Sequence, residues 1–212
     1  MNVLEYIRLG LRYRKDPFFV KYLMDKRVLD IGSGRGEFLA REPGNFVGVD
    51  VDPTLVSQCQ QRGLSAYCMN AFELDFPDGS FDAVHAAQLI EHFSSVDASR
   101  FLSEVSRVIR PGGWVYLTTP GVRNVWNTFS HVRPYPPDAF RKLLGSDTEN
   151  YIRESQIDLT YENAWGSRRY FENRALMFVS AVLDLLIPPG NPIGWTIILR
   201  KKNLTSESTS LA

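Results

Sequence analysis

Short apolar runs alternate with amphipathic stretches along most of the chain. The apolar runs predict β-strands, and apolar positions that recur every three or four residues predict the helices between them. Predicted strands cover residues 27–31, 46–51, 65–69, 81–87, 114–118, 152–161 and 195–200. One or two helices are predicted within residues 2–24, and another is predicted to begin at residue 37. The other predicted helices cover residues 52–62, 97–109, 138–144 and 171–187. This alternation favours an α/β fold with a mostly parallel seven-stranded sheet, helices on both faces and an antiparallel last strand.

Composition and charge narrow the possible classes of partner. A chain of 212 residues suits a single domain. Its 24 basic and 24 acidic side chains leave no formal net charge, which argues against a nucleic-acid partner. Cys59 and Cys68 form neither a disulfide framework nor a metal-site pattern, so we expect buried free thiols, no metal and a reducing, cytoplasmic setting. The most apolar stretch, residues 175–187, is too short to span a bilayer.

A strand that runs into alternate glycines is the most informative motif. Val28–Ile31 is apolar apart from Asp30, and Gly32, Gly34 and Gly36 follow it. Glycines at this point allow a tight turn and a close approach of the backbone to a ligand. The Gly-x-Gly-x-Gly spacing differs from the Gly-x-Gly-x-x-Gly pattern of dinucleotide-binding loops. The alternative is a glycine turn that only packs the strand against a helix.

An acidic residue ends the second predicted strand. Asp50 follows the apolar run at residues 46–49, and Asp52 lies two positions further on. An ionised carboxylate only accepts hydrogen bonds, so Asp50 could bind both hydroxyls of a ribose. Asp52 is better explained as a helix N-cap, because Pro53 would occupy the first helical position. The alternative for Asp50 is a solvated strand end.

Two later blocks complete a specific order of motifs. Residues 70–82 read Asn-Ala-Phe-Glu-Leu-Asp-Phe-Pro-Asp-Gly-Ser-Phe-Asp, and residues 108–113 read Val-Ile-Arg-Pro-Gly-Gly. Together with the glycine loop and Asp50, they make the chain similar to the class I S-adenosylmethionine-dependent methyltransferases of the small single-domain kind. The likeness spans about residues 26–120. It implies a Rossmann-like fold, S-adenosylmethionine as the methyl donor and S-adenosylhomocysteine as the product.

The resemblance implies which residues bind the methionine part of the donor. Asp30, Gly32, Ser33 and Gly34 would face this part of the molecule. Gly36 would allow a helix to pack closely against the loop. In this interpretation the backbone of the loop, rather than a long side chain, forms one wall of the donor site.

The same resemblance assigns the nucleoside to the ends of the second and third strands. Asp50 would bind the ribose, and Val51 would pack against the adenine. Ala71 and Phe72 would flank the adenine from the other side. The family commonly has Asp before that pair, whereas this chain has Asn70, whose carbonyl oxygen can still accept a hydrogen bond from the adenine amino group.

Residues just past the fourth strand would complete the donor site. By the same resemblance, Gln88 and Leu89 would line the methionine and the methyl that is transferred. Within the strand, Asp82 is expected to support the sheet. His85 is expected to be a core histidine whose ring has a hydrogen-bond partner.

The candidates for chemistry at the acceptor are two histidines and two neighbours of one of them. Histidine suits removal of a proton near neutral pH, and loops beyond the strand ends form the acceptor side of such folds. His131 and His92 are therefore the candidate catalytic residues. Arg133 is a candidate to bind an anionic acceptor, and Tyr135 to line its pocket. The alternatives are bracing hydrogen bonds for the histidines, a capping role for Arg133 and ordinary packing for Tyr135.

The remaining segments extend the prediction to a single domain at residues 1–204, followed by a flexible tail at residues 205–212. Residues 1–25 are expected to form a helical lid over the donor. The aromatic side chains that would make the lid contacts are Tyr6, Tyr13 and Phe18. Packing against the rest of the protein is the alternative for this segment.

Residues 121–190 are expected to be insertions on the acceptor side. Their apolar residues could form a roomy pocket, which would favour a lipid-like or aromatic acceptor. The residues of this predicted pocket are Trp126, Trp165, Phe171 and the helix at 176–187. The alternative is that they cover the sheet or form a dimer interface.

The sequence therefore predicts a methyltransferase that moves a methyl group from S-adenosylmethionine to a small molecule by in-line displacement. Saccharide, lipid-linked and natural-product acceptors are all compatible with it, and a monomer or a homodimer is expected. A non-catalytic, S-adenosylmethionine-binding partner or regulatory protein is the alternative from another class. A NAD-dependent oxidoreductase is disfavoured by the glycine spacing.

Overall fold

The computed structural model describes residues 1–13, 16–145, 157–167, 174–187 and 189–203. The helices in these ranges are α1 (Val3–Tyr13), α2 (Pro17–Tyr22), α3 (Pro53–Gln61), α4 (Ser95–Val108), α5 (Pro137–Leu144) and α6 (Arg174–Leu186). The strands are β1 (Val28–Ile31), β2 (Phe46–Asp50), β3 (Ala66–Cys68), β4 (Phe81–Ala87), β5 (Ile109–Pro120), β6 (Leu159–Ser167) and β7 (Gly194–Lys201). Short 3₁₀ turns lie at Leu39–Arg41, Ile90–His92 and Val125–Asn127.

A single seven-stranded sheet in the order β3-β2-β1-β4-β5-β7-β6 organises the fold. The first five strands are parallel, and β7 runs antiparallel between β5 and β6. The predicted Rossmann-like sheet with an antiparallel last strand is therefore confirmed. The strand order reverses between β1 and β4. At such a switch point, the carboxyl ends of neighbouring parallel strands leave a crevice in which ligands of open α/β sheets bind.

Helices cover both faces of this sheet with apolar side chains. On one face, Phe101 and Val105 of α4 and Phe140 of α5 are buried against the strands. On the other face, Phe19 of α2 and Val56 of α3 belong to a second buried cluster. All of β1 is buried, as expected for a central strand that is covered on both sides. Each large apolar side chain contributes roughly 1.5–3 kcal/mol through its burial, so these two layers hold the crevice in place.

Two predicted elements differ in the structure. The helix expected from residue 37 is only the 3₁₀ turn Leu39–Arg41, because Pro43 and Gly44 follow it and β2 already begins at Phe46. The sixth strand was expected at residues 152–161 but is found at Leu159–Ser167. This strand is only partly buried at the sheet edge, so it lacks a clear apolar alternation, and residues 152–156 lie outside the described chain.

The two cysteines differ in their exposure to solvent. Cys59 is buried and Cys68 is exposed, and both are free, so the expectation of buried thiols holds only for Cys59. The helix α6 lies within the helix predicted at residues 171–187. Residues 171–173 of that prediction, and the tail predicted at residues 205–212, lie outside the described residues. None of the helices in the described part of the chain is long and apolar enough to cross a membrane.

The N-terminal helices pack next to β6 and α6. The ring of Tyr6 stacks on Phe178 of α6, with centroids 5.4 Å apart, and meets Phe18 edge to face at 5.3 Å. Phe18 in turn contacts Trp165 of β6 at 4.6 Å. These contacts give Tyr6 and Phe18 packing partners, and the lid over the donor stays a prediction. The side chain of Tyr13 is not among those that the structure describes.

Candidate active site

The glycine loop after β1 bends through three left-handed residues. Gly32, Gly34 and Gly36 have φ angles of +75°, +54° and +79°, which L side chains rarely adopt. The N–H groups of Gly32 and Ser33 both donate to the Val49 carbonyl of β2, at 2.9 and 3.0 Å. A Cβ atom at Gly34 would find no other atom within 4 Å. The loop therefore leaves open space beside Gly34.

Two of the residues implied at the donor site pack the loop onto the protein instead of facing that open space. The buried hydroxyl of Ser33 faces β2, where a Cβ atom at Gly48 would lie 2.7 Å from it. A Cβ atom at Gly36 would lie 2.8 Å from both Cys59 Sγ and Leu64 Cδ1. Gly36 thus allows close packing against Cys59 of α3 and against Leu64, in line with the close packing that the resemblance implies.

Asp50 ties the glycine loop to the end of β2. Its Oδ2 accepts the Gly34 N–H at 2.9 Å, and its Oδ1 accepts the Asp52 N–H at 3.0 Å. Each carboxylate oxygen has a second lone pair, so the group can still accept hydrogen bonds from a ligand. Asp52 caps α3 by accepting the Thr54 N–H at 2.8 Å. The assignment of Asp52 as a cap is confirmed.

Below the loop, Asp30 and His85 form a buried pair. His85 Nδ1 donates to Asp30 Oδ1 across 2.6 Å, and the imidazole stacks on Phe38 with ring centroids 3.8 Å apart. His85 is thus a core histidine with a partner, as expected. Its role as the partner of Asp30 was not predicted, because the two residues meet only when β1 and β4 pair.

Residues after β2 and β3 form the next part of the crevice edge. Val51 is exposed at the end of β2 although it is apolar, and Ala71 is buried. The side-chain oxygen of Asn70 accepts the Phe72 N–H at 3.0 Å and so fixes this turn. The ring of Phe72 packs on Phe93, with centroids 4.8 Å apart. An amide oxygen can accept a second hydrogen bond, so Asn70 retains one for a ligand.

Gln88 and Leu89 leave β4 through a strained turn. Gln88 has φ +53°, a conformation that costs a non-glycine residue about 1 kcal/mol and often marks functional sites. Its backbone N–H donates to the Thr118 carbonyl at 2.9 Å, and its side-chain amide to the Thr118 hydroxyl at 3.3 Å. Leu89 reaches the glycine loop, where a Cβ atom at Gly32 would lie 3.3 Å from it.

The two candidate catalytic histidines come together at this same edge of the sheet. The rings of His92 and His131 are 4.7 Å apart at an angle of 82°. His92 Nδ1 donates to the Ser130 carbonyl at 3.2 Å, and His131 Nδ1 donates to the Val125 carbonyl at 2.7 Å. Because a carbonyl can only accept, each ring carries a proton on Nδ1, and in the neutral form of the ring Nε2 is then the acceptor.

Glu91 is a site residue that sequence reasoning missed. Its carboxylate is fully buried, and neither oxygen has a hydrogen-bond partner. The Glu91 backbone N–H and the Thr119 hydroxyl lie close by without hydrogen-bond geometry. Burial raises the pKa of the Glu91 carboxyl above its ordinary value, and the nearby His92 and His131 oppose that rise. The only signal in the sequence was an acidic residue between apolar neighbours and a histidine.

Arg133 and Tyr135 have partners within the protein. The Arg133 guanidinium donates to the Ser95 hydroxyl at the start of α4 and lies over the Tyr135 ring. Tyr135 is buried, and its hydroxyl lies 2.9 Å from the carbonyls of both Phe93 and Ser94. Burial raises the pKa of Tyr135 to about 12. Both side chains thus have partners within the protein, and the assignment of Arg133 and Tyr135 to the acceptor stays a prediction.

The fold and this site can be compared with those of known proteins. Residues 29–117 match the family model described as a methyltransferase domain. A SAM-dependent methyltransferase from Archaeoglobus fulgidus has a TM-score of 0.60 at 21% identity, covering 93% of both chains. The [4+2]-cyclase SpnF has a TM-score of 0.61 at 20% identity, covering 87% of this chain and 79% of its own.

Two curated relatives match less than half of the chain, at higher sequence identity. The fatty-acid O-methyltransferase of Mycolicibacterium smegmatis is 37% identical over 102 residues, which are 44% of this chain and 36% of that protein. A phthiotriol/phenolphthiotriol dimycocerosates methyltransferase of Mycobacterium ulcerans is 38% identical over 108 residues, 45% of this chain and 38% of its own. The chain thus matches little more than a third of the length of these relatives.

The order of the seven strands and the likeness to solved methyltransferase structures define the class I, Rossmann-like methyltransferase fold. Within that fold, residues 29–117 are the part of the chain that matches the methyltransferase-domain family model. This part contains the glycine loop, Asp50, Asn70 and Gln88, but it ends before His131.

Proposed function

We propose that this chain transfers a methyl group from S-adenosylmethionine to a small-molecule acceptor. The observation that carries the proposal is the hydrogen bond between Asp50 and Gly34, at 2.9 Å. It places a carboxylate that can bind ribose directly beside a loop that leaves space for the amino-acid part of the same nucleoside. The match of residues 29–117 to a methyltransferase domain supports this assignment.

The residues of the crevice fit such a donor. Gly34 has open space where any side chain would intrude. Asp50 and Asn70 each retain an oxygen lone pair for a hydroxyl or an amino group. Val51 is exposed and apolar, as a surface for a purine requires. Gly32, Asp50, Val51, Asn70 and Gln88 would therefore surround the donor, while Ser33 and Gly36 shape the loop from behind.

Bound S-adenosylmethionine would supply an activated methyl group on a sulfonium sulfur. The protein must then hold an acceptor atom in line with that methyl group, and positioning supplies much of the rate. Leu89 would exclude water at the methyl side of the glycine loop. In the neutral rings, the Nε2 atoms of His92 and His131 would take up a proton that an acceptor hydroxyl or amine loses, and the Nδ1 bonds to carbonyls support this role.

The surroundings of the histidines favour an apolar acceptor. Trp126, Phe129 and Val132 are exposed next to His131 in the chain, in the loop that follows β5. Relatives include enzymes named for fatty acids and for phthiotriol lipids, and a demethylmenaquinone methyltransferase of Tropheryma whipplei is 28% identical over 153 residues. We therefore place lipid-like and quinol-like molecules first among the acceptors.

The two cysteines are both free thiols, which is consistent with a reducing, cytoplasmic location.

The proposal is tested by following S-adenosylhomocysteine release with S-adenosylmethionine and a panel of acceptors: long-chain fatty acids, phenolic lipids, quinols and saccharides. We expect release that depends on one of the apolar acceptors. Tight S-adenosylmethionine binding with no turnover on any of them would instead support the non-catalytic alternative.

His131→Ala is expected to lower turnover by about 100-fold or more, because it removes an acceptor of the substrate proton. Binding of S-adenosylmethionine should be unchanged, since His131 lies on the acceptor side. Both are measured on the same preparation, by product release and by calorimetry. His85→Leu, which removes the donor to Asp30 below the glycine loop, is the comparison: it should affect donor binding as well. Unchanged turnover in His131→Ala would remove this residue from the mechanism.

A further inference from the structure

We propose that Glu91, His92 and His131 form a binding site for a divalent transition-metal cation. One candidate ligand atom from each residue lies within 4.8 Å of the other two. Ligands in a tetrahedral site with bonds of 2.0–2.1 Å are about 3.3 Å apart, so the side chains must close by roughly 1.5 Å at most to bind such an ion.

The backbone holds the three side chains together. The 3₁₀ turn Ile90–His92 is joined to the loop after β5 by the Val132 N–H, which donates to the Glu91 carbonyl at 2.8 Å. The hydrogen bond from His92 to the Ser130 carbonyl joins the same two segments. The three candidate ligands thus belong to two segments that are hydrogen-bonded to each other.

Hydrogen bonding sets both imidazoles in the form that binds metals. Metal-binding histidines almost always donate their other ring N–H to a carbonyl, a carboxylate or water, which orients the ring and fixes its tautomer. Here both Nδ1 atoms donate to backbone carbonyls, of Ser130 and Val125. The lone pair on each Nε2 is therefore available to a cation without any change of tautomer.

The Glu91 carboxylate is an independent indication of a ligand. A buried carboxylate without hydrogen bonds is costly, and such groups in proteins are paired or bind metals. In the described chain both oxygens lack a partner, and the histidines are the charged or titratable neighbours that act on it most strongly. A cation bound to Glu91 and both Nε2 atoms would satisfy all three groups at once.

The donor set selects the kind of cation. Two imidazoles and one carboxylate are ligands of Zn²⁺ in sites that keep a coordination position open, and of Fe²⁺ in facial triads. Mg²⁺ and Ca²⁺ prefer oxygen ligands and are disfavoured. The cluster runs from buried Glu91 through partly exposed His131 to exposed His92, so its open side faces solvent and an incoming molecule.

A role in catalysis follows if the proposed function holds, whereas metal binding does not depend on it. A bound cation lowers the pKa of a coordinated hydroxyl. The acceptor O–H bond would break with loss of its proton to water, and the oxygen would then attack the methyl carbon as the S–CH₃ bond breaks and the electron pair stays on sulfur. The two imidazoles would then act through the cation rather than as free bases.

The test titrates the full chain, free of any purification tag and stripped with chelator, with Co²⁺ and with Zn²⁺ alone. We expect one equivalent of Co²⁺ with visible absorption of a site of low coordination number, displaced by Zn²⁺, and no comparable response to Mg²⁺. Glu91→Gln, His92→Ala and His131→Ala should each weaken binding by about 100-fold or more. Glu162→Gln, an exposed carboxylate on β6, is the matched control and should bind like the unchanged chain.

Thermal unfolding of each variant, with and without metal, separates a loss of metal binding from a folding defect. Without metal, Glu91→Gln should be at least as stable as the unchanged chain, because it removes an unpaired buried charge. With Zn²⁺, the unchanged chain should melt at a higher temperature and Glu91→Gln should not shift. Absence of a stoichiometric Co²⁺ or Zn²⁺ complex, or equal binding by all variants, would overturn the proposal. Calorimetry with S-adenosylmethionine on the same samples separates this failure from failure of the proposed function.

Discussion

Asp50→Ala is expected to weaken S-adenosylmethionine binding by about 100-fold. The variant removes charge-assisted hydrogen bonds to the ribose, together worth roughly 2–4 kcal/mol, and a tenfold change in affinity corresponds to about 1.4 kcal/mol. It also releases the Gly34 N–H, which Asp50 now accepts at 2.9 Å. The loop loses its tether at the point where the ligand must contact it, so both effects act in the same direction. Calorimetric titration with the donor measures the loss.

Asp52→Ala is the matched control for that experiment. Asp52 lies two residues away and caps α3 through the Thr54 N–H. Its removal should cost about 1 kcal/mol of stability and leave donor affinity unchanged. Donor affinity that falls equally in both variants, or in neither, would show that Asp50 does not bind the ribose.

Gly36→Ala is expected to lower the free energy of unfolding by about 2–4 kcal/mol. The residue has φ +79°, and a methyl group would meet Cys59 Sγ and Leu64 Cδ1 at 2.8 Å. Strained backbone and overpacking each cost of order 1–3 kcal/mol. Because both neighbours belong to the buried cluster on this face of the sheet, the strain cannot be relieved toward solvent. Denaturant unfolding monitored by circular dichroism gives the difference.

Gly63→Ala separates the two causes. Gly63 also has a left-handed φ, +73°, but a methyl group there would have no atom within 4 Å. It should therefore cost only the backbone strain, about 1–2 kcal/mol. Equal destabilisation in the two variants would mean that close packing at Gly36 does not matter, and that the glycine is needed for its φ angle alone.

The parts of the fold that local pattern determines were predictable. β1, β2 and β4 are buried apolar runs with glycine, Asp or Pro signals at their ends, and α4 has a regular apolar stripe. The cap Asp52-Pro53 is likewise a local signal. The sixth strand was placed too early because it lies at the sheet edge, where partial burial leaves no alternation to detect.

Site residues that lie within one short segment of the sequence were predictable. Contacts between residues that are far apart in the sequence were not. The glycine loop and Asp50 are each recognisable within a few residues. The pairing of Asp30 with His85 and the meeting of Glu91 with His131 depend on strand order and on the path of the loop after β5. For the same reason Tyr135 was a candidate for the pocket, whereas its hydroxyl bonds to carbonyls beside α4.

Calorimetry of the unchanged chain measures whether the crevice beside Gly34 and Asp50 binds a sulfonium nucleoside. The chain is titrated in turn with S-adenosylmethionine, S-adenosylhomocysteine and NAD. We predict one equivalent of each of the first two, bound in competition with each other, and no heat of binding with NAD. Tight binding of NAD together with no response to either sulfur compound would contradict the account.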